Sequence, residues 1–516
     1  MESTSPNRAE PPGTVQIKDW NSIVLQPRPS EDPEDPLNWS PTRKTLNFTL
    51  VLLFTLFTFV LVDIGTVAWG PVNTELNISF SAMNNSFAAC LAGLGTGCIF
   101  GIPLAHKYGR RPVYLASLVV QLAGSIWQAK VNTAWELIAS NVVTGLGGAI
   151  SEVLVQMTVN DLFFVHQRGR ANGVYLVMVS MGAYVALVPA GFVTVSQGWR
   201  WIWWWCTIFL AGTLVVFVFG YEESKYVVRV MGREAYGEKP DQESMQQQQQ
   251  QQSKQTVGTM GGEKEEEEMG SAPTTFRRKS YRERMALVTK TDTPVLRHLV
   301  QPFQLLVTFP AVAYTAIIYG SLLCWFSVLV TTQSTYLLEP PYNFSASGVG
   351  LFSLATFIGT VIGSIIGGPM SDWWILRRAK ANNGIYEPEM RLWVLVPGII
   401  LCPGGILLFG ICMARGVPWI VLAVGSAVFG AAFTLLADVS LSYLMDCYHG
   451  VVGDAFVAVT FMRNALSMIF VFCLTPWIAA TGLENMFIAV ACIAFAINCL
   501  TIPMIIWGKW ARRATA

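Results

Sequence analysis

The sequence predicts an all-α polytopic membrane protein: twelve transmembrane helices arranged as two pseudo-symmetric six-helix bundles. Three observations predict it. The 516 residues are 53% hydrophobic and only 13% charged, where soluble domains carry about 25% charged residues. Apolar runs such as TLNFTLVLLFTLFTFVLVDIGTVAW outlast the roughly 20 residues that cross a hydrocarbon core of about 30 Å. The runs also fall six and six on either side of a long polar interval.

In chain order, residues 1–45 are polar and proline-rich, without the charged start and short apolar core of a cleavable signal. They read as a disordered tail. The first bundle occupies 46–221, with spans near 46–69, 86–105, 112–130, 135–157, 171–195 and 201–221. Residues 222–300 carry the run Gln246–Gln252, the EKEEEE run and the stretch FRRKSYRERM, a composition that buries no core and predicts a disordered loop. Its RRKS, Arg277 to Ser280, resembles a basic-directed kinase site. The second bundle occupies 301–508, with spans near 306–332, 347–370, 392–413, 417–443, 453–476 and 482–507; residues 509–516 form a short tail.

Sidedness follows from the cations in short loops. One set of loops holds Lys107, Arg110, Arg111, Arg168, Arg170, Arg377, Arg378, Lys380 and Arg391, and the other holds only Lys130, Arg200 and Arg415. The first set, both termini and the central loop are therefore expected in the cytosol, with the chain in the plasma membrane. The sequons at Asn77, Asn84 and Asn343 then face outward as candidate glycosylation sites. The WRWIWWW cluster at Trp199–Trp205 reads as an outer aromatic belt.

Several function classes are excluded. The ten cysteines lie almost entirely in apolar spans, without metal-ligand or disulfide-framework spacing. The four histidines, His106, His166, His298 and His449, form no motif, and no phosphate loop occurs. No metal, cofactor, enzyme chemistry or nucleic-acid partner is expected. The partners implied are a small-molecule solute, protons and the bilayer, with the chain acting as a monomer.

The two halves repeat each other. The turn GIPLAHKYGRRP, Gly101 to Pro112, has a counterpart in GPMSDWWILRR, Gly368 to Arg378, with Asp372 lying 266 residues after His106. Glu152 and Asp438 occupy similar depths in the fourth span of each half, 286 residues apart. A duplicated six-helix unit is the build of a secondary carrier whose site lies between its halves.

LAHKYGRRP resembles the loop signature of the major facilitator superfamily, Gly-x-x-x-Asp-Arg-x-Gly-Arg-Arg, and the resemblance covers about 45–508. Within that superfamily the chain is similar to fungal twelve-span drug:proton antiporters. DPEDPLNWSP, DLFFVHQRGRANGVY, EMRLW and LMDCYHG are similar to the branch of the yeast polyamine carrier and many cluster-encoded fungal efflux pumps. The resemblance implies a cytosolic gate motif at Gly101, His106, Lys107, Gly109, Arg110 and Arg111, echoed at Gly368, Asp372 and Arg377. The chain departs from the pattern with Ile102 for a glycine, His106 for the acid and Asn141 for an arginine linked to proton coupling. The fifth-span antiporter pattern survives only as Val188, Pro189 and Gly191. At His106 the departure leaves two readings, a weaker, pH-sensitive latch or a simple drift to a neutral hydrogen-bonding residue.

An ionisable side chain inside a span costs at least about 2.5–3.5 kcal/mol and faces a cavity or a partner. Asp63, Glu152, Asp438 and Arg463 are such residues, and the resemblance places the three acids on cavity-lining spans. A carboxylate there takes up a proton or attracts a cationic solute. Asp438 could instead pair with Arg463 across adjacent helices. Tyr184, Tyr314, Tyr319, Trp325, Gln333 and Asn464 are further candidates for solute contact, aromatic faces suiting flat or cationic ligands. The function expected is proton-coupled export of small organic molecules, drug-like or secondary metabolites, by alternating access. The alternatives are proton-coupled uptake of organic cations or polyamines, and a nutrient sensor that keeps the carrier fold.

Overall fold

The structure is a computed structural model that describes residues 34–225, 281–289, 295–382, 385–448 and 452–515, with 15–16, 32, 229–230 and 233–234 besides. The glutamine and glutamate runs and the RRKS motif lie outside the described residues, as do His449 and the side chains of His166, Arg168 and Arg170.

Twelve helices follow the apolar runs. They are α1 (Pro41–Leu76), α2 (Phe80–Tyr108), α3 (Arg110–Ala129), α4 (Ala134–Leu162), α5 (Ala171–Ser196) and α6 (Arg200–Gly220). The second six are α7 (Pro310–Tyr336), α8 (Ala346–Ala381), α9 (Glu389–Ala414), α10 (Trp419–Cys447), α11 (Gly453–Thr481) and α12 (Leu483–Ala514). Eleven of these are long and apolar enough to cross a membrane. The exception, α3, buries Arg110, Arg111, Gln121 and Gln128 against its neighbours, which lowers its hydropathy without exposing the polar groups to lipid.

Local chemistry sets the helix edges. Pro41 opens α1 behind Ser40, whose hydroxyl accepts from the Arg43 amide at 3.4 Å. Ser79 caps α2 in the same way, accepting from Ala82 at 3.2 Å. That cap starts α2 six residues ahead of the expected edge, so Asn84 lies inside the helix. It is 1% exposed, and its amide donates to the Val471 carbonyl at 2.6 Å. A glycan there would displace α11, which corrects the expectation for Asn84. Asn77 and Asn343 are exposed, each in left-handed backbone at a helix or loop end. Part of the loop expected to be disordered is also ordered: Val295–Thr308 forms a bridging helix that packs on α2, α7 and α11.

The halves meet along two seams, α2 against α11 and α5 against α8. Side chains cross both: Phe456, Val457 and Val471 of α11 join the first-half core, and Ala183 and Tyr184 of α5 join the second. Two π-helical turns bend the bundle, Met181–Val185 in α5 and Ile366–Met370 in α8. The start of α1 and the end of α12 lie at one end of the bundle, where Arg43 pairs with Glu222 and Arg512 with Glu389. This is the basic end. The opposite, tryptophan end holds Glu75, which accepts from the Trp199 indole at 2.6 Å and pairs with Arg200.

Candidate functional site

Between the halves, at mid-depth, lies a cavity of about 70 Å³. It takes Asp63 from α1, Glu152 from α4, Tyr184 from the π-turn of α5, Tyr319 and Phe326 from α7, Thr434 from α10, and Arg463 and Asn464 from α11. The wall is mostly apolar and aromatic, and its charges are confined to Asp63, Glu152 and Arg463. A few polar groups in an apolar wall is the usual composition of a small-molecule site.

The charges are arranged unequally. Glu152 forms an ion pair with Arg463 and accepts from the Asn464 amide at 2.7 Å. Arg463 also donates to the Tyr319 hydroxyl at 2.8 Å, and its guanidinium lies 5.0 Å from the Tyr319 ring centroid. The cluster therefore ties α4 of one half to α7 and α11 of the other. Asp63 is 3% exposed and, among the described residues, its carboxylate has neither an ion pair nor a hydrogen bond. It sits where α1 tightens into the 3₁₀ turn Ile64–Ala68.

The remaining candidates lie elsewhere. Asp438 does not pair with Arg463, which turns to Glu152 in the opposite half. It packs instead against the π-turn of α8, where a β-carbon on Gly367 would come within 3.1 Å of its Oδ2. Tyr314 bonds Thr501 at 2.9 Å inside the second half, away from the cavity. Gln333 donates to Ser353 at 3.1 Å in a smaller space that shares Tyr184 and Phe326 with the cavity. Trp325 is buried against Phe470. Asn141 accepts from Gln128 at 3.1 Å and makes no contact with the cavity.

At the basic end the sequence left Arg110 without an evident acid. Two carboxylates supply it. Asp161, at the end of α4, accepts from Arg110 Nε at 3.0 Å. Glu223, just after α6, accepts from the backbone amides of Arg110 at 2.9 Å and Arg111 at 3.0 Å, capping α3 with a negative charge where the helix dipole favours one. Gly109 admits that carboxylate: its φ is +108°, and a β-carbon there would overlap Glu223. Arg111 donates to the Met285 and Val218 carbonyls. Gly101 abuts Ile150 of α4, and Lys107 lies 5.6 Å from the Tyr108 ring.

The second half repeats this with different residues. Arg391, at the start of α9, donates to Asp446 at the end of α10 at 3.1 Å and lies 3.5 Å from Asp372. Both partners sit about 280 residues after Arg110 and Asp161. The counterpart of Arg110 is thus Arg391; Arg377 and Arg378 instead face Trp373 and Trp374. Sequence reading overlooked Asp161, Glu223 and Asp446. Their one signal is position, each within a few residues of a span end in both halves.

Known proteins share this architecture. A family profile described as Major Facilitator Superfamily matches residues 45–472. An uncharacterized MFS-type transporter of Schizosaccharomyces pombe is 33% identical, covering 97% of this chain and 90% of its own length. Protein HOL1 of Saccharomyces cerevisiae is 31% identical, over 96% and 91%. Among solved structures, the proton:xylose symporter XylE superposes with a TM-score of 0.58 over 90% of this chain and 96% of its own. At 13% identity that likeness concerns the fold.

Proposed function

Because this chain belongs to the Major Facilitator Superfamily, a family of transporters and not of enzymes, we propose that it is a proton-coupled carrier of small organic cations. The observation that carries this reading is Asp63. An uncompensated carboxylate at membrane depth costs at least about 2.5–3.5 kcal/mol, so its stable states are those in which a proton or a cation neutralises it. Glu152 already has Arg463 and Asn464. The aromatic rings of Tyr184, Tyr319 and Phe326 complete a wall suited to an organic cation.

The two carboxylates divide the work. Asp63 holds the amine of the solute, and Glu152 takes the proton. A proton on Glu152 weakens its hold on Arg463 and loosens the tie between α4 and α11, letting the halves rock along the α2–α11 and α5–α8 seams. Binding of proton and cation at separate groups favours symport, hence uptake of amines such as polyamines. The basic end, rich in short-loop cations, faces the cytosol of the plasma membrane. Export by exchange is the competing direction, favoured by the largely apolar wall, and requires both charges to compete for Asp63.

Reconstitution into vesicles with an imposed pH gradient tests the reading, with labelled spermidine and a neutral hydrophobic dye as probes. Gradient-dependent spermidine flux, lost in Asp63→Asn, is expected. Dye flux without spermidine flux refutes the cation assignment. Spermidine moving against the direction of the protons makes the carrier an exchanger.

A further inference from the structure

We propose that His106, His298 and Asp454 form a binding site for a divalent transition cation of the Zn²⁺ class, which ties the two halves together at the basic end. The three donors come from three elements. His106 is in the last turn of α2, His298 is on the bridging helix, and Asp454 is in the first turn of α11. These elements close the α2–α11 seam.

The geometry is already gathered. The two imidazoles stack nearly parallel, 4° apart, with centroids at 4.3 Å. His298 Nδ1 lies 3.4 Å from Asp454 Oδ1. One ligating atom from each residue falls within 4.8 Å of the other two. Tetrahedral Zn²⁺ with ligands at about 2.0–2.2 Å spaces its donors roughly 3.3 Å apart, so side-chain rotation closes the remainder. Two imidazoles and one carboxylate leave a fourth position for water, and borderline cations prefer this set to Mg²⁺ or Ca²⁺.

The surroundings accept the charge. The nearby cations are Arg110, held by Asp161 and Glu223, and Lys225, which donates to the His106 carbonyl at 2.6 Å. The acids Asp161 and Glu223 offset those two cations, leaving Asp454 as the excess negative charge facing the ion. Its side chain is 12% exposed and that of His298 18%, so the cluster is reachable from the basic end. His106 stands at the gate position where the family signature places an acid. A bound ion would convert that position into a bridge between halves, holding the basic end closed and slowing turnover.

The experiment uses the full chain in lipid nanodiscs, stripped with chelator and titrated calorimetrically with ZnCl₂, with Co²⁺ absorption as a second readout. One Zn²⁺ per chain, not displaced by excess Mg²⁺, and a tetrahedral Co²⁺ spectrum are expected. Outer-shell changes alone cost 10–100-fold in metal affinity, so H298N and D454N should each weaken binding by about 100-fold or more. D454N, in an accessible first turn, serves where a histidine variant does not fold, with the size-exclusion profile reporting folding. Absence of Zn²⁺ binding, or binding in H298N and D454N as tight as in the native chain, overturns the site. Zn²⁺ on the basic side should slow flux in the native chain and not in D454N; unchanged flux with bound Zn²⁺ overturns the regulatory role. Because binding is read without any solute, failure here is distinct from failure of the cation-carrier reading.

Discussion

Removing one partner of the Glu152–Arg463 pair should harm the protein more than removing both. The pair is deeply placed, with 3% of the Glu152 side chain and 9% of the Arg463 side chain exposed. Arg463→Met leaves Glu152 with the Asn464 amide alone, and Glu152→Gln leaves Arg463 with Tyr319 and a neutral amide. Breaking a buried pair from one side costs about 3–5 kcal/mol, mostly the cost of the stranded charge. Replacing both charges by neutral groups of similar volume is often near neutral. The double variant Glu152→Gln/Arg463→Met should therefore be more stable than either single one, which requires a coupling energy larger than either single loss, above about 3 kcal/mol. Tryptophan fluorescence of the solubilised chain during heating gives the order of melting midpoints. A double variant that falls by the sum of the two single losses refutes the pair as a tie between halves. Flux should stay low in all three variants, since the double variant restores the fold and not the carboxylate to which the proposed function assigns the proton.

Two further outcomes follow from the ends of the bundle. Burial, helped by nearby Arg110, pulls Lys225 down to about 8, while an unfolded lysine titrates near 10.4. Between those values the unfolded chain binds more protons, so stability rises with pH across about 8 to 10 and is flat in this respect below. The melting midpoint of the native chain relative to Lys225→Met should climb over that window; a constant difference means the ammonium is fully solvated. At the tryptophan end, Asn77→Gln and Asn343→Gln should each remove a glycan-dependent mobility shift when the protein is made in a fungal host. A shift lost in Asn84→Gln would contradict the burial of that residue.

The helix count was legible because apolar runs of membrane length leave little choice of structure. Edges were less so. The polar string before Phe87 reads as a loop, yet the Ser79 cap and the bond from Asn84 to Val471 draw it into α2. Partnerships were the least legible. Asp438 and Arg463 lie on consecutive spans, which makes them look paired, but the ion pair joins Glu152 to Arg463 across 311 residues and two halves. Depth in a span predicts that a charge needs a partner, and only the packing of α4 on α11 decides which.

The repeat explains how the first half tolerates a histidine where the family signature has an acid. In the second half Arg391 is served by Asp446 and, more weakly, by Asp372, whose side chain is 66% exposed. In the first half Asp161 takes the place of Asp446, while Glu223 supplies the second carboxylate from beyond α6. Glu223 does more there than Asp372 does in its copy, because it also caps α3 through two backbone amides. The loop position is thereby released from serving the arginine. His106 can then stack on His298 and face Asp454, a contact that crosses to the other half where an acid at this position would have stayed within its own. The departure from the signature thus moves the contact at this loop position from inside a half to between the halves.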